Sequence, residues 1–297
     1  MNTPVQHRQS MDLARFIAAF GVVVAHAYAL ENDWVGHLSL GLFLILTAFL
    51  AVQSMQRAGG TYPFVARAKR LVVPWLIWSL FYRLVMLKVV DGPEKYAILS
   101  DPWSLLTGSA IHLWFLPFVM LAMVMVEPAG RFVTSVPCLA VALTGLALVS
   151  APMLWLHQFA GWPQPMPQWL IAFPVYALGL GLGLAHPLGK SLWPVLAAAV
   201  MTLWAYFISG GALWSATILA SILLFEAFWR LPLRGKWLPM LGQSAFGIYL
   251  IHPFFMLVTY KLFGADVMRM QAAVVTFLLS WAAVLLFRRV PVVARFM

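Results

Sequence analysis

The sequence predicts an all-α fold: a polytopic membrane protein with about ten transmembrane helices. Hydrophobic residues make up 63% of the chain and charged residues only 9%, too few to cover a water-soluble surface. The mean hydropathy is +0.89. Apolar stretches of hydrocarbon length recur from one end of the chain to the other, and each is long enough to cross a bilayer as a helix.

The spans follow one another with short polar connections. We predict them at residues 12–30, 38–56, 71–90, 112–128, 136–156, 169–186, 192–209, 212–229, 240–262 and 268–288. An even number of spans places both termini on one side of the membrane. We expect a single transmembrane domain over residues 1–297, with no appended soluble domain.

The distribution of charge predicts the orientation. The formal net charge is +10, but most basic residues lie in short clusters between apolar stretches, where they are topology signals and not a nucleic-acid surface. Placing both termini in the cytoplasm puts most of these clusters on the inner side. The sequence therefore predicts a multi-pass plasma-membrane protein with cytoplasmic N- and C-termini.

The ends of the first spans and the longest loops allow further interpretation. A cleaved signal peptide competes with the first span, because Ala27-Tyr28-Ala29 resembles a cleavage site after an apolar core, although the charged region before it is weak.

The longest outer loops are predicted at 91–111 and 157–168. The second loop contains Pro163, Pro165 and Pro167, which favour a rigid outer turn or lid.

Arg15 and His26 mark the first span as a candidate for chemistry. They lie eleven residues apart, which on a helix brings them to nearly the same face, about 16 Å apart along the axis. His26 falls about two thirds of the way along an outward-running helix. An imidazole at that depth is costly unless it is used or covered by neighbouring side chains. His26 is therefore either a reactive residue or a packed histidine that bridges helices.

Three further motifs follow in order. Phe64 to Pro74 contains Arg67 and Arg70 just before the third span, and the segment His112-Leu113-Trp114-Phe115-Leu116 opens the fourth. Gly242 to Pro253 contains Ser244, Tyr249 and His252. Together with Arg15, His26 and the preceding Asp12, these motifs resemble those of the acyltransferase-3 family of membrane-bound acyltransferases, which includes bacterial enzymes that O-acylate cell-surface sugars.

The resemblance implies an activity and its partners. Members of this family move an acyl group, commonly acetyl from acetyl-CoA, to a hydroxyl of a sugar at or across the bacterial inner membrane. The expected partners are acyl-CoA as donor substrate, a glycan or glycolipid acceptor and membrane lipid, with no nucleic acid. No metal is expected, because the sequence has no metal-ligand spacing and its one cysteine, Cys138, lies in an apolar run.

The resemblance also implies roles for single residues. His26 is expected to be catalytic, as a general base or a transient acyl carrier. Guanidinium groups bind phosphates through paired hydrogen bonds, so Arg15, Arg67 and Arg70 are expected to bind the donor, unless they are only basic anchors at the membrane surface. The expected substrate-binding residues are His112, Trp114, Tyr249 and His252.

Structural roles remain open for several of these residues. His112 at the outer end of its span could cap the helix or meet water. Pro253 lacks an N–H and frees the carbonyl of Tyr249, so His252 could satisfy that carbonyl in place of binding substrate. Trp114, like most aromatic residues of such a chain, could belong to the aromatic belt at the membrane surface or face lipid.

Two local patterns predict packing. Glu226 and Arg230, and likewise Glu127 and Arg131, are four residues apart, which favours an ion pair within one helix. Thr47-Ala48-Phe49 stands where the family usually has Ser-Gly-Phe. Since the replacements are larger, they predict a looser helix contact at that point.

Two other classes of function compete with an acyltransferase. A secondary transporter or lipid-linked sugar flippase would also have about ten spans and intramembrane His and Glu residues, but it would need no coenzyme A. A non-catalytic scaffold or receptor would tolerate loss of His26.

Overall fold

Ten long apolar helices, each long enough to cross a membrane, make up most of the computed structural model among the residues it describes. These residues are 8–28, 33–89, 103–264, 266–291 and 294. The helices are α1 (Ser10–Tyr28), α2 (Asp33–Arg57), α3 (Phe64–Val89), α4 (His112–Phe132), α5 (Val136–Phe159), α6 (Met166–Ala185), α7 (Leu192–Ser209), α8 (Leu213–Arg230), α9 (Leu238–Phe263) and α10 (Arg269–Phe287). Within the described ranges no residue is in a strand. The predicted all-α fold is confirmed.

The helix boundaries differ from the predicted spans mainly at α3. This helix begins at Phe64, seven residues before the predicted start, so Arg67 and Arg70 lie in its first two turns and not before it. Hydropathy missed these turns because they are basic, whereas Ala, Arg and Lys all favour helix. In α1, His26 lies in the last turn before Tyr28, closer to the helix end than predicted.

Helix α4 is not a single regular helix. A 3₁₀ turn at Ile111–Trp114 opens it, and a second 3₁₀ segment at Met123–Met125 separates its two α-helical halves, Phe115–Ala122 and Val126–Phe132. A 3₁₀ segment in the middle of a helix changes the direction of the side chains that follow. Another 3₁₀ turn, Leu213–Ala216, opens α8, and its α-helical part is Thr217–Arg230.

One end of the bundle, which we call the basic end, is where α1 begins. There Arg8 donates to the carbonyl of Trp229, and its guanidinium carbon lies 4.3 Å from the centre of the Trp229 ring. The N–H of Gly235 donates to Oε1 of Gln9 at 2.7 Å. These contacts join the segment before α1 to the end of α8 and the loop after it.

At the opposite end of the bundle, a hydrogen bond spans the connection between α5 and α6. His157 donates from Nδ1 to the carbonyl of Pro167 at 2.7 Å, which ties the end of α5 to the start of α6 across the predicted outer turn. The long loop predicted at 91–111 falls largely on residues 90–102, which lie outside the described residues. Ala29, part of the signal-peptide alternative, also lies outside them.

Glycines on α6 allow a close contact with the backbone of α2. A Cβ added at Gly179 would stand 2.8 Å from the Cα of Ile45 and from the Cβ of Ala48, and one at Gly183 would stand 2.9 Å from the Cβ of Val52. This is a small-xxx-small contact, in which two helix backbones approach closely. The predicted loose packing beside Thr47-Ala48-Phe49 is therefore wrong, because the small residues are supplied by α6.

Helix α3 lies at the periphery of the bundle. Its buried residues, Pro74, Trp78 and Tyr82, repeat every four positions and form one narrow stripe, while most of its other side chains are exposed. A helix with one buried stripe and an apolar remainder faces lipid on its other sides. The basic residues of its first two turns therefore sit on a lightly packed element.

The α2–α6 contact gives a test of the fold. Gly179→Ala should destabilise the protein by about 1–3 kcal/mol, because the new methyl group meets the Ile45 backbone, which cannot move aside cheaply. Gly145→Ala on α5 is the matched control. No atom lies within 4 Å of its new Cβ, so it should be stabilising by up to about 1 kcal/mol.

Thermal unfolding of the detergent-solubilised variants measures both effects. The melting temperature should fall for Gly179→Ala and stay level or rise for Gly145→Ala. Equal melting temperatures for the two variants would show that the α2–α6 contact is not as close as described.

Candidate active site

His26 stands in the last turn of α1 with one ring nitrogen committed to the backbone. Its Nδ1 lies 2.8 Å from the carbonyl oxygen of Val22, one turn earlier, and the side chain is exposed. Because a carbonyl only accepts, Nδ1 must carry the proton in the neutral ring. The other nitrogen, Nε2, then has a free lone pair. A neutral imidazole in this tautomer can take a proton or attack a carbonyl carbon through Nε2.

His252 packs edge-on against His26, with ring centroids 4.8 Å apart, and is fully buried. Pro253 removes the N–H that would otherwise bond the carbonyl of Tyr249. His252 fills this role, since its Nδ1 lies 2.8 Å from that carbonyl oxygen. The structural role predicted for His252 is therefore present. Its Nε2 is buried and has no hydrogen-bond partner within the described ranges.

His112 lies behind His252, with ring centroids 5.4 Å apart. It is only 4% exposed, so it neither caps the helix in water nor lies at the surface, the alternatives left open by the sequence. Tyr249 donates its phenolic O–H to the carbonyl of His112. The Nε2 of His112 is also buried and without a hydrogen-bond partner among the residues described. Three imidazoles from α1, α9 and the 3₁₀ turn of α4 thus form one cluster, which we call the histidine cluster.

Sequence reasoning missed Tyr82, which completes the cluster. Its ring packs against His112 at 5.1 Å, and its O–H donates to the carbonyl of Leu250 at 2.7 Å. The four-residue spacing of Pro74, Trp78 and Tyr82 is the signal that identifies this stripe. Through Tyr82, the lightly packed α3 contacts both α4 and α9 at the histidine cluster.

Trp114 lies apart from the histidine cluster. Its ring contacts Phe115 and Phe118 at 6.0 Å in each case, and the side chain is buried in the apolar core. Phe115 stands between this core and the cluster, because its ring also packs against Tyr249 at 5.8 Å. The structure therefore brings together His26, His112, Tyr249 and His252 but not Trp114.

Arg15 lies near the start of α1, towards the basic end. Its Nη1 is 3.5 Å from Oδ1 of Asp12, and the two side chains are 32% and 4% exposed. Asp12 is buried against Gly242 of α9, where a Cβ would meet Oδ1 at 2.3 Å. Glycine at position 242 thus makes room for the carboxylate that holds Arg15. On one straight helix, Arg15 and His26 are separated by about 16 Å.

The two arginines of α3 have different surroundings. Arg67 is half-buried and donates from Nη2 to Oγ of Ser54 on α2 at 2.9 Å, whereas Arg70 is exposed. Burial raises the pKa of the nearby Tyr62 phenol, and the charge of Arg67 offsets part of that rise. Tyr62 therefore keeps its proton at neutral pH and donates it to Sδ of Met123 at 3.0 Å.

Both predicted intrahelical ion pairs are confirmed. Arg230 lies 3.0 Å from Glu226, and Arg131 lies 2.5 Å from Glu127. The sequence did not predict that His186 at the end of α6 also contacts Glu226, with its Nε2 2.8 Å from Oε1. The carboxylate of Glu226 thus contacts both His186 and Arg230 near the basic end.

The helices and the histidine cluster define a class of protein. It is a polytopic membrane protein that holds imidazole side chains, which can react with protons and carbonyl carbons, among its helices. The chain matches the family model described as an acyltransferase domain over residues 8–288, and it therefore belongs to the acyltransferase-3 family. It is a membrane acyltransferase. No curated protein and no solved structure matches the chain.

The Pro253 kink gives a test of the geometry of the cluster. His252→Ala should be destabilising by about 1–3 kcal/mol, because it leaves the buried carbonyl of Tyr249 without a donor. Pro253→Ala restores a backbone N–H at the position that faces this carbonyl. The double variant should therefore lose clearly less stability than the sum of the two single variants, as measured by thermal or denaturant unfolding in detergent. Strict additivity would contradict the assigned hydrogen bond.

Proposed function

We propose that the protein transfers an acyl group, most simply acetyl, from acyl-CoA to a hydroxyl of a cell-surface or lipid-linked sugar. The observation that carries the proposal is the state of His26. Its Nδ1 is bonded to a backbone carbonyl, its side chain is exposed, and its Nε2 is left with a lone pair. Its ring packs against the buried imidazole of His252, behind which lies that of His112. This arrangement suits a group that must take a proton or an acyl group.

In the direct version, His26 acts as a general base. Its Nε2 takes the proton of the acceptor hydroxyl while the hydroxyl oxygen attacks the thioester carbon. The carbon–sulfur bond breaks, and the proton on Nε2 passes to the departing thiolate of coenzyme A. The products are the sugar ester and free coenzyme A, and His26 is neutral again.

In the covalent version, His26 carries the acyl group itself. Nε2 attacks the thioester carbon, the carbon–sulfur bond breaks, and coenzyme A leaves as its thiolate, while the acylated ring keeps the Nδ1 proton on the Val22 carbonyl and carries a positive charge. The acceptor hydroxyl then attacks the acyl carbon, the carbon–nitrogen bond breaks with its electron pair returning to Nε2, and the hydroxyl proton neutralises the thiolate of coenzyme A. This version suits a donor and an acceptor that approach from opposite sides.

The donor's phosphates are assigned to Arg15, Arg67 and Arg70. The three residues lie in the first turns of α1 and α3, at the basic end of the bundle. By the positive-inside rule this end faces the cytoplasm, where acyl-CoA is made, which supports a plasma membrane protein with both termini inside. The axial distance of about 16 Å from Arg15 to His26 suits a long, extended donor arm that reaches from the phosphates to the imidazole.

The acceptor hydroxyl is assigned to the histidine cluster. The unpartnered Nε2 atoms of His112 and His252 are buried hydrogen-bonding groups, and such groups usually have a partner. We propose that a sugar hydroxyl provides one, with Tyr249 fixing the backbone of His112. Trp114 would then support the cluster through Phe115 without touching the sugar.

Replacing His26 tests the proposal most simply. His26→Ala should lower the rate of labelled acetyl transfer from acetyl-CoA to membrane glycans by about a hundredfold or more, because the base or carrier is lost. His37→Ala, in the first turns of α2, removes a histidine outside the cluster and should retain most of the activity.

Unfolding temperatures of the two variants must match that of the wild type for the comparison to count, and His26→Gln provides a polar replacement if alanine lowers stability. Equal transfer by wild type and a folded His26 variant would exclude the proposed role. Transport of a sugar without any use of acetyl-CoA would favour a flippase.

Replacing the α3 arginines tests the donor assignment. Arg67→Gln and Arg70→Gln should each raise the KM for acyl-CoA about tenfold with little change in kcat, because each removes a charge-assisted hydrogen bond to phosphate. Arg57→Gln removes a cation at the same end, from the last turn of α2, and should leave the KM unchanged. If all three substitutions change only the amount of inserted protein, the arginines are anchors.

A further inference from the structure

A groove separate from the histidine cluster opens between the start of α3 and the second half of α4. Its volume is about 350 Å³, and its lining includes Tyr62, Phe64, Met123, Val124 and Arg131. This volume is within the range typical of small-molecule sites. None of the residues assigned above to the donor or the acceptor lines it.

The groove lies beyond the part of α4 on which α3 packs. Helix α3 packs mainly against the first half of α4, Phe115–Ala122. The groove is lined instead by Met123 and Val124 of the 3₁₀ segment and by Glu127 and Arg131 of the second half. The gap therefore begins at the 3₁₀ segment of α4.

Tyr62 and Glu127 fix the inner wall of the groove. The N–H of Tyr62 donates to Oε2 of Glu127 at 3.2 Å, and the phenol of Tyr62 is buried on Met123. Glu127 also holds Arg131 through its other oxygen. The α2–α3 connection is thus bonded to α4 at two points, so the wall is preorganised.

The outer rim of the groove changes character along its length. Arg131, near the end of α4, has a side chain that is 76% exposed, so most of its N–H donors are not covered by protein. Val124 is 55% exposed and lies about 10 Å deeper along the same helix. Phe64, at the start of α3, is also exposed. The groove is cationic at the end of the helices and apolar towards the middle of the bundle.

The surrounding charge favours an anion. Arg67, Lys69 and Arg70 lie on the first two turns of α3, the helix whose first residue, Phe64, lines the groove together with Arg131. Glu127 is the acidic residue of the groove lining. Cations near the surface of a membrane attract anionic lipid headgroups. The apolar part of the groove opens along the sides of the helices and not at their ends. A bound molecule would therefore need an anionic head and an apolar tail.

We propose that this groove, defined by Tyr62, Phe64, Val124, Glu127 and Arg131, binds one anionic phospholipid. The headgroup phosphate contacts Arg131 and the basic start of α3, and an acyl chain lies against Val124 and Phe64. The bound lipid fills the gap beside the lightly packed α3. The proposal does not depend on the acyltransferase chemistry.

A nucleotide fits the groove less well than a lipid. The phosphates and adenine of coenzyme A are strongly hydrated, whereas the deep part of this groove is lined by Val124 and Met123 at a depth where the helices are otherwise apolar. A lipid places its charge at the rim and its chain in the deep part, so that each half meets matching surface.

The test uses the full-length protein, purified, delipidated and placed in nanodiscs of phosphatidylcholine alone or of equal parts phosphatidylglycerol and phosphatidylcholine. Phosphatidylglycerol should raise the melting temperature of the wild type by about 3 °C or more. Val124→Trp fills the groove and should remove most of this rise. Val141→Trp, a matched control on the exposed face of α5, should keep it.

A second variant separates charge from shape. Glu127→Gln/Arg131→Gln leaves the net charge unchanged and keeps an acceptor for the N–H of Tyr62, but it removes the exposed guanidinium. It should lose at least half of the rise caused by phosphatidylglycerol. An equal rise in all variants would overturn the proposal, since it would show only a general effect of surface charge.

Coenzyme A distinguishes the lipid from a nucleotide. Adding it should raise the melting temperature of Val124→Trp as much as that of the wild type, because its site lies elsewhere. If Val124→Trp abolishes protection by coenzyme A and not by phosphatidylglycerol, the groove binds a nucleotide and the lipid proposal is wrong. Because these measurements need no turnover, absence of acyl transfer would count only against the proposed function.

Discussion

Every backbone carbonyl within a bilayer must find a donor inside the protein, and this requirement sets the geometry of the histidine cluster. Pro253 leaves the carbonyl of Tyr249 without its helical partner, and His252 supplies the missing donor from Nδ1. His26 also donates from Nδ1 to a backbone carbonyl, that of Val22 one turn earlier, although no proline deprives this carbonyl of its helical donor. In both rings the backbone carbonyl fixes Nδ1 as the nitrogen that carries the proton. In both rings Nε2 is the nitrogen that takes no part in that hydrogen bond.

Rigid packing holds this cluster while one helix connects it to the basic end. Helix α1 packs between α2, α9 and α10, and α2 in turn is held close to α6 by Gly179 and Gly183. The buried Asp12 fits only because position 242 on α9 is glycine. Arg15 and His26 are therefore fixed at two levels of the same helix, with the guanidinium towards the basic end and the imidazole at the histidine cluster.

The sequence predicted the number of helices and most of their boundaries, because apolar length is a strong signal in a membrane protein. It missed the first two turns of α3, where Arg67 and Arg70 lower hydropathy without breaking the helix. It also missed His186 beside Glu226 and Tyr82 beside His112, since these contacts join helices that are far apart along the chain. The link between Pro253 and His252 was predictable because it is local. The close α2–α6 contact was not, because the compensating glycines lie on the partner helix.

Helix α3 connects these parts of the account. It carries the two arginines assigned to the donor, contacts the cluster through Tyr82, and borders the groove beside α4. Few of its side chains are buried, so its position depends on a small number of contacts. A lipid in the groove would add contacts at the end where the arginines stand.

The central claim is that the acyl carbon of the donor reaches Nε2 of His26. A cryo-electron microscopy structure with a non-reactive thioether analogue of acetyl-CoA measures this distance directly. The account predicts phosphates at Arg15, Arg67 or Arg70 and the carbon that stands for the acyl carbonyl about 3–3.5 Å from Nε2 of His26. An analogue bound with that carbon far from the histidine cluster would contradict it.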